Sequence, residues 1–186
     1  MIYESMRFPN MDDIRRILCG DRFADYELIG APVPVRDTES EIRCRTLCET
    51  NECGDYGRTW ACPPGFAGNL DDYKGRFTKV AIMRRAFDVN VNDRERLTEI
   101  SRKVQDDVRQ AAALIRGSGI DCKGFADGGC TYCGVCAYPE PCRFPEMLVP
   151  SVSSLGIDMG DFLKSIGEEL EFREDRITLY GLLFLG

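Results

Sequence analysis

The sequence predicts an α+β protein in which a small mixed sheet and a few helices anchor two cysteine-rich metal-binding loops. Three observations lead there. Apolar residues recur with a helical period in some segments and with a strand-like pattern in others. Ten cysteines are present, and nine of them fall in two Gly- and Pro-bearing stretches without either period. A 44% hydrophobic composition with ordinary Gly and Pro content is that of a globular chain. A length of 186 residues suits a single domain over 1–186, with the cysteine loops at 41–69 and 122–145.

Taken in chain order, Asn10 caps a short helix whose Met11, Ile14, Ile17 and Leu18 form one apolar face, and Gly20 ends it. Tyr26 to Val35 reads as an edge strand, because Pro32 and Pro34 remove two backbone donors. Glu41 to Asn69 reads as a loop organised by something other than a core. Val80 through Phe87 is a short buried strand. In the clearest helix, Asn92 with Glu95 resembles a capping box, Leu97, Ile100, Val104, Val108, Ala112 and Ile115 form the stripe, and Gly117 lies at the end. After the second cysteine loop, which is expected between two helices, Asp161 caps a helix burying Phe162, Leu163 and Ile166. Leu170–Phe172 and Arg176–Leu185 flank the polar turn Arg173-Glu174-Asp175, with Ile177, Leu179, Leu183 and Leu185 on one face of a hairpin.

Charge and composition narrow the function. A formal net charge of −7, with no basic stripe, argues against nucleic acid as a partner. The N-terminus shows no export signal and no apolar run is long enough to cross a bilayer, so the expectation is a cytoplasmic protein with no membrane partner. In a reducing compartment ten cysteines point to metal or redox chemistry rather than disulfides. The absence of histidine excludes Cys/His zinc fingers, His-ligated haem and Ser-His-Asp triads, so any transition-metal site rests mainly on thiolates.

Cys130, Cys133, Cys136 and Cys142 form C-x2-C-x2-C-x5-C, the strongest signal in the chain. Three successive three-residue steps wrap sulfurs around three corners of a cubane, as in ferredoxin runs, so a 4Fe-4S cluster leads. The last spacing departs from the ferredoxin C-x3-C-P, and giving Cys142 to the same cluster is an inference beyond spacing. Zinc is the competing metal, although its sites usually present two C-x2-C knuckles set further apart. Cys44, Cys48, Cys53 and Cys62 form C-x3-C-x4-C-x8-C followed by Pro63-Pro64; a second 4Fe-4S cluster, zinc and a redox thiol pair all remain open here.

Cys19 is expected as a small core residue rather than a ligand; Cys122 is read first as core, with a labile ligand and a redox thiol as its alternatives. Arg43, Arg45, Arg58 and Arg143 adjoin the cysteines and either offset cluster charge or are solvated. Tyr56, Trp60, Phe66, Tyr132, Tyr138 and Phe144 either shield a cluster or simply pack. Gly124, Gly128, Gly129 and Gly134 either admit backbone N–H groups to the sulfides or make turns. Asp71-Asp72 and Asp106-Asp107 are read as solvated carboxylates, not acid–base pairs.

The residues leading to Trp60-Ala61-Cys62-Pro63-Pro64-Gly65 resemble family 2284 of the domains of unknown function. The likeness continues through Gly129-Cys130, Cys133, Cys136, Pro141-Cys142-Arg143 and Pro145-Glu146, then Pro150-Ser151, Gly156-Ile157-Asp158 and Leu179-Tyr180-Gly181-Leu182-Leu183. The resemblance implies a metal or iron-sulfur protein of anaerobic bacteria or archaea, without a settled reaction. The chain has Phe144 where a histidine often follows the arginine in that pattern, and its own Val152-Ser153-Ser154 in the Pro-Ser segment. The combined reading is one-electron transfer to or from a redox partner protein, with the eight cysteines as ligands and no catalytic residues. A zinc-stabilised binding module and an enzyme with an open-site cluster are its rivals.

Overall fold

The computed structural model describes residues 10–186. The stretch read above for export features lies almost wholly outside the described residues. Helix α1 (Met11–Ile17) is capped by Asn10, whose side chain accepts from the Asp13 N–H at 2.8 Å. Strand β1 (Glu27–Pro32) leads to α2 (Thr38–Thr50), then β2 (Lys79–Asp88), α3 (Arg94–Gly117) and β3 (Cys122–Ala126). Helix α4 (Met159–Ser165), the two-residue β4 (Phe172–Arg173) and β5 (Arg176–Leu185) complete the order.

The fold is α+β, and the sheet is antiparallel at every pairing of these strands rather than mixed. Its order is β1-β2-β5-β3, with β4 pairing beside β5 as the expected hairpin. Strand β1 sits at the edge and ends at Pro32, so Pro34 lies beyond it. Both faces of β5 are covered, so its alternation sorts residues between two cores. Leu179, Leu183 and Leu185 join Ile14, Val104, Val108 and Ile115 under α1 and α3. Tyr180, Leu182 and Phe184 face Leu155, Ile157, Phe162 and Leu163 on the other side. There the Phe125 and Phe184 rings pack at 5.0 Å, and Tyr73 meets Phe125 edge-on at 5.4 Å.

Several boundaries differ from those expected. Helix α2 takes in residues 41–50 of the first cysteine stretch and is capped by Asp37, which accepts from the Glu39 N–H at 3.0 Å. Its outward side is held by Glu41 to Arg36 and Arg45 rather than by an apolar stripe, so no helical period shows in the sequence. Residues 122–126, expected as loop, are strand β3, so the second cysteine stretch follows a strand and not a helix. The cap of α3 is Asp93 and that of α4 is Asp158, each accepting from the N–H three residues on. Cys19 follows the C-cap residue Leu18 off the apolar face and is exposed, whereas Cys122 is buried as expected.

Candidate metal centre

The first cysteine set is built on α2. Cys44 and Cys48 are four residues apart, so both sulfurs project from one helix face. Cys53 and Cys62 come from the turns beyond Asn51, the left-handed C-cap of α2. Cys44 and Cys62 are buried, Cys48 is half-buried and Cys53 exposed. Burial pushes the Cys44 thiol up to about 11 and the Cys62 thiol up to about 12. Burial also raises Cys48, against the Ser153 hydroxyl, which favours its thiolate. Each thiol feels the charge of its neighbours: Cys44 that of Cys48, and Cys62 that of Cys53 and Cys48.

Beside Cys62 the Thr59 hydroxyl is buried with no hydrogen-bond partner. It lies beside the Cys62 sulfur and favours its thiolate against burial. A buried donor of this kind costs about 1–3 kcal/mol when unpaired. A metal-bound thiolate or sulfide is an acceptor that would satisfy it, so the donor set fits a thiolate-ligated centre.

The second set lies on irregular backbone between β3 and residues 145–147, and its four cysteines are half-buried. The loop is pinned from α3 outside it and by one bond within it. Arg109 of α3, almost fully buried, donates to the Met147 carbonyl at 2.9 Å and to the Cys130 sulfur at 3.7 Å, and its guanidinium lies 5.0 Å from the Tyr132 ring centre. Gln105 donates to the Asp127 and Gly128 carbonyls, and Arg143 donates to the Val135 carbonyl at 2.6 Å. The Asp127 carboxyl accepts from the Tyr180 N–H at 2.8 Å, and desolvation still raises it to about 6.

The two sets meet. The Trp60 indole N–H donates to the Glu140 carbonyl at 2.7 Å, and its ring packs edge-on against Tyr138 at 5.1 Å. Gly65 approaches both the Thr59 carbonyl and the Tyr138 ring so closely that a Cβ would lie 2.5 Å from the oxygen. Gly129 is pressed in the same way against the Asp55 carboxylate, at 2.5 Å. The Ala61 carbonyl, next to Cys62, accepts from the Ser151 N–H and the Ser154 hydroxyl. Among the described residues no three cysteine or carboxylate side chains already stand in a metal-holding cage.

Some expected roles are filled by other residues. Arg43 pairs with Asp158 and Asp161, and Arg45 with Glu41; the arginine bonded to a cysteine sulfur is Arg109. The signal for it was a polar pair, Gln105 and Arg109, inside the stripe of α3. Gly124 packs against Val108, so it serves strand–helix contact. Asp107 is buried, bonded to the Tyr26 hydroxyl at 2.9 Å and paired with Arg22 and Lys103, and so is not solvated. Tyr132 and Phe144 pack edge-on at 5.2 Å yet stay exposed. No helix among the described residues is long and apolar enough to cross a membrane.

The family model for predicted metal-binding proteins, number 2284 of the domains of unknown function, matches residues 31–185. The chain belongs to this family. Neither a curated protein nor a solved structure matches it.

Proposed function

From membership in a family of predicted metal-binding proteins, we propose that the chain carries thiolate-ligated iron and works as an electron-transfer protein for a partner enzyme. Cys130, Cys133, Cys136 and Cys142 would hold a 4Fe-4S cluster, and Cys44, Cys48, Cys53 and Cys62 a second. What such a cluster supplies when bound is one reversible electron. The residues around it would set the conditions. Arg109 brings a fixed positive charge to the Cys130 sulfur, which favours the more negative state. Thr59 offers the first set an unused hydrogen bond. Trp60 and Tyr138 pack in the seam between the sets and limit water there.

The observation that carries the reading is this convergence: two cysteine sets far apart in sequence are fastened by Trp60 to Glu140 and by Asp55 against Gly129. The test is iron, zinc and acid-labile sulfide per chain, with a visible spectrum, on protein purified without oxygen. About eight irons and eight sulfides are expected for two cubanes, and about four for one. Cys62→Ser and Cys133→Ser should each remove the metal of one set and spare the other. Zinc without sulfide would sink electron transfer and leave a structural binding module.

A further inference from the structure

A cavity of about 230 Å³ opens between the C-terminal half of α3, β3 and residues 145–149. Its charged lining is Arg76, Arg109, Arg116 and Lys123 against Asp121 and Glu146, a positive surplus in a chain of net charge −7. The two carboxylates do not neutralise it evenly. Asp121 is held bidentately by Arg76 at 2.7 and 3.0 Å, and Glu146 is exposed at the rim. Arg109 is turned to Asp106, the Met147 carbonyl and Cys130.

That leaves two cations outside any close ion pair, with Asp121 feeling Arg116 only at longer range. Arg116 donates to the Cys122 carbonyl at 3.0 Å, and Lys123 to the Leu148 carbonyl at 2.9 Å. Among the described residues neither forms an ion pair. Each keeps N–H groups free, since a guanidinium carries five and an ammonium three. Lys123 is half-buried, and desolvation followed by repulsion from Arg116 lowers its pKa. An unpaired cation in such a setting is costly unless an anion shares the site.

We propose that this cavity binds a small-molecule oxyanion, a carboxylate or phosphoryl group, between Lys123 and Arg116. A planar guanidinium fork and a point-like ammonium are the complementary pair for such a group. Arg109 lines the cavity and touches the Cys130 sulfur, so the occupant sits one side chain from the second cysteine set. The site itself does not depend on what metal that set holds.

The test is isothermal titration of the 186-residue chain, as purified without oxygen, with inorganic phosphate and separately with malonate at fixed ionic strength. Saturable one-site binding is expected for at least one probe. Phosphate alone identifies a phosphoryl ligand, malonate alone a carboxylate, and both together a general oxyanion site. Lys123→Gln and Arg116→Gln should each weaken binding about tenfold or more, whereas Arg102→Gln on the exposed side of α3 should not. Arg116 is exposed, so its variant decides the matter even if Lys123→Gln fails to fold. No binding of either probe up to about 10 mM, or binding untouched by Arg116→Gln, overturns the proposal. Metal content does not enter this measurement, so its failure and that of the electron-transfer reading are separate results.

Discussion

The two cysteine sets are built on opposite plans. In the first, a helix fixes two sulfurs and the turns after it bury a third, so Cys44 and Cys62 sit as neutral thiols in a dry setting. In the second, all four sulfurs lie on irregular backbone, and order comes from Arg109 and Gln105 of α3 reaching in from outside, with Arg143 bonded to Val135 within the loop. One set is positioned by secondary structure, the other by side chains that reach across to it. The first must expel protons to take up a metal; the second depends on its clamps.

The largest effect should come from removing a clamp. Arg109→Leu leaves the Met147 carbonyl without its donor and Asp106 with Arg22 alone, and should lower stability by about 2 kcal/mol in urea unfolding. Arg45→Leu, which breaks the partly exposed pair with Glu41 on α2, should cost under about 1 kcal/mol. Equal losses would erase the contrast between the plans.

Next in size is thiol reactivity. In metal-free protein at pH 8, Cys62 and Cys44 should be alkylated by iodoacetamide at least about tenfold more slowly than Cys133 or Cys136, because thiolate is the nucleophile and burial disfavours it. The sign for stability follows. A buried thiol raised to about 11 or 12 favours the neutral form, so its contribution is present below the unfolded value near 8.5. It is lost as pH climbs from there through 11 and 12. Metal uptake runs the other way: ligation releases these protons, so affinity at the first set should rise with pH across the neutral range. Alkaline unfolding of the metal-free chain and metal competition at several pH values check the two halves.

The smallest effect sharpens the comparison most. Thr59→Val removes a buried hydroxyl that has no partner, so metal-free protein should unfold at the same or slightly higher urea, a gain of up to about 1 kcal/mol. With metal bound, the same substitution should destabilise by a similar amount, because the lost hydroxyl was then paired. A sign that does not change on loading would mean that Thr59 has no bearing on the centre.

Much of this was legible in the chain. The stripe of α3, the edge character of β1 and the hairpin of β5 followed from apolar period and proline placement. Helix α2 was not, because Ser40 and Cys44 are its buried residues and neither is a large apolar side chain, so it carries no apolar stripe. Strand β3 was hidden by its brevity and by Gly124. Caps shifted within a run of neighbouring polar candidates, Asn92 for Asp93 and Asp161 for Asp158. The cysteine spacing was visible in the chain, but the roles of Arg109 and Lys123 were not, since each takes its meaning from a residue distant in sequence: Met147 for one, Leu148 for the other.

Strand β5 lies between β2 and β3, yet it follows both of them and all ten cysteines along the chain. As the chain leaves the ribosome, both cysteine sets therefore emerge before the strand that joins the sheet. Until then β2 and β3 have no shared neighbour, and each exposes an unpaired edge. The thiols are thus synthesised well before the scaffold that aligns them can close.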